Sequence, residues 1–364
     1  MKILLLGEYS NVHWTLAEGL RALGHKVTVA SNGDFWKNYP RDNDLNRTSN
    51  GVVGTVGFLA RLACALPRMR NYDVVQLINP MFLEMKAEKI FKVYDYLRRH
   101  NGKVFMGAFG MDYYWVNECR TRKPLRYSDF NFGNELRTDE VAMREVNDWT
   151  GTAKEELNKY IAKDCDGIVA GLYEYFVCYK NLFADKLAFI PMPINLDKVP
   201  ITAPPVTDKI KFFIGISKAR SEYKGTDVML RALRRIEAKY PDRVEVIKVE
   251  GVPFDTYKRL MDGSHVLLDQ LYSYTPGMNG LLAMAKGLVL VGGGEEENYQ
   301  ILGDCNVRPI VNVLPSEDDV FCKLEDLVLQ KDRLATLSRQ SREYIERYHS
   351  HLEVAKQYID LWTK

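Results

Sequence analysis

At 364 residues the chain is longer than one hydrophobic core usually serves, so two domains are expected. Its 46% hydrophobic and 27% charged residues are ordinary for a globular protein in water, and no run of about 18 apolar residues offers a membrane span. Fifty basic against forty-eight acidic side chains leave a net charge of +2, which excludes the overall positive field of a nucleic-acid binder.

The apolar run Lys2–Leu6 is too short for a signal peptide and predicts a first strand buried on both faces. A polar loop from Gly7 to Thr15 leads to an amphipathic helix over Leu16–Leu23, which Gly24-His25 ends before a strand over Lys26–Ala30. From Gly51 to Arg70, apolar residues are edged by Arg61, Arg68 and Arg70, a pattern of a core helix or of a face resting on anionic lipid. A strand over Tyr72–Ile78, a helix over Lys86–His100 and a strand over Val104–Ala108 continue the alternation. Tyr113 to Thr150 is polar and rich in aromatics; a helix over Thr152–Ala162, a strand over Gly167–Ala170, another helix and a strand over Leu187–Ile190 follow.

Pro191, Pro193, Pro200, Pro204 and Pro205 mark an interdomain linker, since proline removes donors and fixes the backbone. A second alternating series places strands at Ile210–Ile214, Val244–Val249, His265–Asp269, Leu288–Val291 and Ile310–Val313. Helices are expected over Thr226–Tyr240, Phe254–Met261, Gly277–Ala285, Asp318–Leu329 and Lys331–Tyr348, with an amphipathic tail helix over Ser350–Trp362. Strands alternating with helices imply parallel sheets, hence an α/β protein of two Rossmann-like halves: residues 1–200 with 350–364, and residues 206–349. The cysteines at 64, 119, 165, 178, 305 and 322 include no CxxC pair, which fits a reducing, cytoplasmic setting without structural zinc.

Ligands of open parallel sheets sit beyond the carboxyl ends of the strands. Gly215 to Asp227 follows a strand and opens a helix, and carries Arg220, Lys224 and Gly225. Two cations beside a helix N-terminus suit a diphosphate; a solvated basic loop before a capped helix fits the same pattern. Leu268 to Gly287 repeats the arrangement, with Asp269 and Gln270 at a strand end and Met278, Asn279 and Gly280 at a helix start. There, Asp269 as a cap and Met278 as core is the alternative.

In order and spacing, these segments resemble the retaining glycosyltransferases of the GT-B fold, particularly the family 4 group, over nearly the whole chain. Gly24-His25-Lys26-Val27-Thr28-Val29 is similar to that family's "GHEVTV" strand, and Ile190-Pro191-Met192-Pro193-Ile194 to its "IPNPI" linker. The resemblance implies two facing Rossmann-like domains and a C-terminal helix crossing back to the first. It implies a nucleotide-sugar donor on the second domain, with its phosphates on Arg220 and Lys224, and a glycan or lipid-linked acceptor on the first, in cell-surface polysaccharide synthesis. Retention, no obligatory metal, no cofactor and peripheral contact with the inner face of the membrane belong to the same expectation. The chain departs from the family at its glutamate pair, where Tyr274 and Leu282 stand instead. Asp269, Glu295 and Glu297 are the nearest replacements, although an acidic run is often just a solvated face.

In the first half, His13 and Trp14 follow the first strand, as contacts to donor phosphate or acceptor or as packing residues. The resemblance puts a sugar-contacting group at Asp112, with His13 the other catalytic candidate; Tyr113 and Tyr114 beside Asp112 suit an acceptor sugar or a core. Tyr173 and Glu174 extend the set. Two rival readings are a nucleotide-sugar epimerase and a non-catalytic relative that binds a nucleotide or glycan. A nicotinamide oxidoreductase lacks its GxGxxG, since Gly7 to Thr15 holds one glycine.

Overall fold

The computed structural model describes residues 1–49, 51–205, 208–217, 221–303 and 306–364. The chain opens with β1 (Lys2–Leu6), α1 (Val12–Ala22), β2 (Lys26–Ser31), the short β3 (Asn43–Asp44) and α2 (Val52–Ala65). β4 (Val74–Leu77), α3 (Ala87–His100) and β5 (Lys103–Ala108) come next. The aromatic stretch after them folds as α4 (Tyr113–Thr121), a hairpin of β6 (Asn131–Phe132) and β7 (Glu135–Leu136), and α5 (Glu140–Trp149). α6 (Ala153–Asp164), β8 (Gly167–Ala170), α7 (Tyr173–Lys180) and β9 (Leu187–Phe189) complete the first lobe's alternation. Its sheet is seven-stranded and parallel throughout, in the order β3-β2-β1-β4-β5-β8-β9. Ile3 to Leu6 are fully buried because helices cover both faces, which is why β1 is apolar without alternation.

Beyond the proline-rich crossing lie β10 (Ile210–Ile216), α8 (Ser221–Lys224), α9 (Thr226–Lys239), β11 (Val244–Glu250) and α10 (Phe254–Met261). β12 (Val266–Leu268), α11 (Met278–Ala285), β13 (Val289–Gly292), α12 (Glu296–Ile301), β14 (Val311–Asn312), α13 (Glu317–Leu329) and α14 (Asp332–Tyr348) follow. They form a second parallel sheet, β11-β10-β12-β13-β14. Two parallel sheets, each flanked by helices, make the two facing Rossmann-like halves of the GT-B arrangement.

The last helix, α15 (His351–Thr363), returns to the first lobe and packs on α1. The close approach depends on Gly19, where an added Cβ would lie 2.3 Å from the His351 carbonyl oxygen. Lys103 Nζ donates to the Trp362 carbonyl (3.0 Å), and the Trp362 ring is buried beside Phe105. Outgoing and returning chain meet side by side: the Ile194 amide donates to His349 O (2.6 Å) and the His351 amide to Ile194 O (3.0 Å).

A second tie joins the lobes through the β6–β7 hairpin and its flanks. The Arg126 amide donates to the Tyr274 hydroxyl (2.7 Å), and Arg137 Nη1 donates to the Tyr223 carbonyl (3.2 Å). Glu174, buried at the start of α7, accepts from the Tyr274 (2.6 Å) and Thr275 (3.0 Å) amides and from the Thr275 hydroxyl.

Candidate active site

A cleft of about 1980 Å³ runs between the lobes, lined by loops that leave the carboxyl ends of strands in both sheets. Its second-lobe wall contains Ser217 and Lys224 after β10, Glu250 to Phe254 after β11, Asp269 and Gln270 after β12, and Met278 and Asn279 at the start of α11. The predicted phosphate and donor segments therefore reach one cavity. Leu271 N–H donates to the Lys224 carbonyl (3.0 Å), which locks the two segments together. The first turn of α11 leaves backbone donors without intrahelical partners, and the helix dipole makes that end favourable to an anion.

Asp269 is buried and accepts from Asn279 Nδ2 (3.0 Å). Burial pushes its carboxyl above the usual range, opposed by the Lys224 charge and by hydrogen bonds from Asn279, Gln270 and the Gly280 amide. Gly280 backs this group rather than lining the cleft: an added Cβ would meet Leu290 Cδ2 at 3.0 Å and Asp269 Oδ2 at 3.1 Å. Gly225 holds φ +71° as the N-cap of α9, and its Cβ position is filled by Leu271 and Tyr272, so it too shapes the loop from behind. Arg220 lies outside the described residues.

Three acid-site expectations fall elsewhere. Tyr274 is buried, tilted against Tyr127 (4.9 Å between centroids), and does not line the cleft. Glu295 accepts from the Tyr127 hydroxyl (2.6 Å) and from Arg126 (2.8 Å), and Glu297 pairs with Arg126 (2.5 Å). Both carboxylates are spent on the first lobe's hairpin flank and are absent from the cleft wall. Their charge ties the lobes together through Arg126.

The first-lobe candidates divide similarly. Trp14 lines the cleft and donates from Nε1 to Glu18 (3.0 Å). His13 is fully buried beneath it, with Nδ1 2.8 Å from the Gly7 carbonyl; that pairing makes Nδ1 the donor, and burial lowers the ring pKa to about 4. Asp112 is the N-cap of α4, accepting from the Trp115 amide (2.8 Å) and the Tyr179 hydroxyl (2.8 Å), and burial raises its pKa to about 7. Tyr114 is buried against Tyr179 and Phe183, and the Tyr113 amide donates to Asn158 (3.0 Å). None of Asp112, His13, Tyr113 and Tyr114, the expected catalytic or acceptor contacts, lines the cleft. A side chain next to a strand end in sequence still points inward when it caps a helix or fills the core.

Sequence reasoning named the loop after β1 but missed the one after β2, whose Trp36, Lys37, Tyr39 and Pro40 complete the first-lobe wall. Ser10 and Asn11 (φ 53° and 70°) and Asp34, Phe35 and Asn38 (φ 58°, 55° and 48°) are non-glycine residues in the left-handed region, where strain gathers at ligand clamps. Asp34 joins the two loops by accepting from the Ser10 amide (2.8 Å) and Lys37 Nζ (2.6 Å). Glu8 anchors the start of α1, accepting from the His13 (3.3 Å) and Trp14 (2.9 Å) amides, and burial raises its pKa to about 8. Trp36 and Tyr39 reach Phe254 across the mouth of the cleft, with centroids 6.3 and 5.6 Å apart. The rule that pointed to Asp269 also applies to Phe254, since its loop leaves the end of β11. Among the described residues no cluster of three or more His, Cys, Asp or Glu is placed to hold a metal ion, and no helix is long and apolar enough to cross a membrane.

No protein-family model matches the sequence, and no curated protein is similar to it. Solved structures are. Sucrose-phosphate synthase from Thermosynechococcus elongatus superposes with a TM-score of 0.60 at 12% identity, over 100% of this chain and 98% of that one. Anabaena Alr3699/HepE, in complex with UDP and glucose, gives 0.59 at 11% identity, over 100% and 99%. A glycosyltransferase from Rickettsia africae gives 0.53 at 12%, over 99% and 97%. At such identities the likeness is one of fold.

Proposed function

We propose that the chain is a glycosyltransferase that moves a sugar from a nucleotide-sugar donor to a glycan or lipid-linked acceptor, with retention of anomeric configuration. The observation that carries the reading is the convergence of Lys224, Asp269, Gln270, Asn279 and the start of α11 on one wall of an interlobe cleft. Phosphate on that wall meets a cation and the N-terminal end of α11, which grow in value as the diphosphate leaves with increasing negative charge. Buried Asp269, held by Asn279, orients the nucleotide or sugar from below. The opposite wall, with Trp14, Trp36 and Tyr39, offers apolar ring faces of the kind that stack on sugars. Alr3699/HepE, a relative in fold, has been solved with UDP and glucose and with UDP-glucose, so uridine nucleotides are the first donors to try.

A second reading is a relative that binds a nucleotide without transfer. It is favoured by Leu282, which lines the cleft with a side chain that cannot accept a hydrogen bond, and by the burial of Tyr274. Calorimetry with a panel of UDP-, GDP- and ADP-sugars separates the two. Binding of one donor with slow hydrolysis supports the transferase, and binding with no hydrolysis and no transfer supports the second reading. Absence of binding to the whole panel refutes both.

A further inference from the structure

We propose that Arg137 and Asp129 of the first lobe are positioning residues for Lys224 of the second, so that the cation facing the donor diphosphate is set in place across the lobe interface. The inference rests on the function proposed above. Lys224 ends α8, a single turn of four residues, and a turn that short does not hold its own shape in water. Its carbonyls show what holds it. Glu222 O accepts from Arg137 Nη2 (3.3 Å), Tyr223 O from Arg137 Nη1 (3.2 Å) and Lys224 O from the Leu271 amide (3.0 Å). Two of three successive carbonyls thus accept from one first-lobe guanidinium.

That guanidinium is itself fixed. The Arg137 side chain is 6% exposed, Nε donates to Asp139 (3.0 Å), the N-cap of α5, and the Arg137 amide donates to Phe130 O (2.8 Å). It lies among the rings of Tyr272, Phe132 and Tyr223, with centroids 4.8, 5.1 and 5.8 Å away. Nε on an acid while both terminal nitrogens reach neighbouring carbonyls is a task for a planar fork, which the point charge of a lysine cannot perform. Asp129 completes the grip by accepting from the hydroxyl of buried Tyr223 (2.6 Å) and from Trp115 Nε1 (3.3 Å). Loss of water raises the Asp129 carboxyl above its ordinary range, opposed by the Tyr223 hydroxyl and by the charges of Arg137 and Lys224.

Adhesion between the lobes does not require this arrangement. The Arg126 tie ends on Glu295, Glu297 and Tyr274, none of which lines the cleft. The Arg137 tie ends on the two residues before Lys224, which does line it. Arg137 is absent from the cleft wall, so its route to a ligand runs through Lys224. Holding the diphosphate is then a property of the joined lobes and not of the second lobe alone.

The test is calorimetry on the full chain with UDP and with uridine, which lacks the phosphates; if GDP or ADP binds better, that diphosphate and its nucleoside take their place. Arg137→Ala is expected to weaken UDP by about tenfold and to leave uridine within about twofold, since only the diphosphate needs the cation. In a Lys224→Ala background the same substitution should change UDP affinity by less than about twofold, because its route is gone. Arg126→Ala, which cuts the other tie, should leave UDP affinity unchanged. Arg137→Lys keeps the charge, loses the fork and is expected to follow the alanine variant; it and Tyr223→Phe serve if Arg137→Ala does not fold. Hydrogen exchange at residues 221–226 should quicken in Arg137→Ala and not in Arg126→Ala. UDP affinity unchanged in folded Arg137 variants overturns the proposal, as do equal losses for UDP and uridine or a full loss that persists without Lys224. A wild type that binds no nucleoside diphosphate overturns the functional reading along with it, an outcome distinct from a wild type that binds UDP and is matched by its variants.

Discussion

Arg126 of the first lobe grips Glu297 of the second with both terminal nitrogens, Nη1 to Oε1 at 2.5 Å and Nη2 to Oε2 at 3.1 Å. Nη2 also lies 2.8 Å from Glu295 Oε2, and the guanidinium sits 4.9 Å from the centre of the Tyr274 ring. The arginine side chain is half exposed, so water screens the pair. A double-mutant cycle of Arg126→Ala and Glu297→Gln is expected to give a coupling of about 0.5–1 kcal/mol in denaturation experiments. Arg126→Ala alone should cost more, about 1–3 kcal/mol, because buried Glu295 loses a charged partner. A coupling of zero would mean that the lobes are held by other contacts.

Lys224→Ala should weaken nucleoside-diphosphate binding by about 1–3 kcal/mol, the range for a charged hydrogen bond lost from a site. Calorimetry reads this directly. Unchanged affinity in a folded variant removes the lysine from phosphate binding.

Buried ionisable groups give stability a pH profile with two limbs. Glu8 (4.5 to about 8) and Asp112 (3.8 to about 7) have raised values, so their folded forms hold protons that the unfolded chain releases. Their contribution is complete below the unfolded values and is lost as pH rises through the folded ones. His13 and His349, each lowered from 6.5 to about 4, contribute above pH 6.5 and lose that contribution as pH falls toward 4. The two limbs oppose each other between 4.5 and 6.5, and above 6.5 the carboxyls act alone. Stability should therefore fall from pH 6.5 to about 8, by roughly 1 kcal/mol per pH unit for each carboxyl still protonated when folded. Melting curves of Glu8→Gln should show a shallower decline; a decline equal to the wild type would exclude Glu8 as its source.

Gly225→Ala should destabilise the second lobe by about 1–3 kcal/mol. The position has φ +71°, and a Cβ there would lie 2.6 Å from Leu271 Cβ and 2.9 Å from the Tyr272 ring. A melting temperature within error of the wild type would show that the loop yields at no cost.

The parallel strands were legible because burial on both faces makes them apolar without alternation, as in β1 and β13. The meeting of Lys224, Asp269 and Asn279 at one cavity was legible through the rule of strand ends. The hairpin region was not, because its partners are remote: Arg126 and Glu297 are 171 residues apart. An acidic run after a glycine turn suits a ribose or an arginine equally, and sequence carries no distance to decide. The place of Asp112, away from the cleft wall, was not legible for a related reason. An aspartate before a helix is the residue type for a cap and for chemistry alike, and here the cap won.

The return of α15 to α1 bears on how the molecule is born. Ribosomal synthesis delivers the first sheet early, yet the groove beside Gly19 and the seat of Trp362 stay empty until residues 351–363 have emerged. A nascent chain stalled at His349 is thus expected to be cut by protease within its N-terminal half, where the finished protein resists.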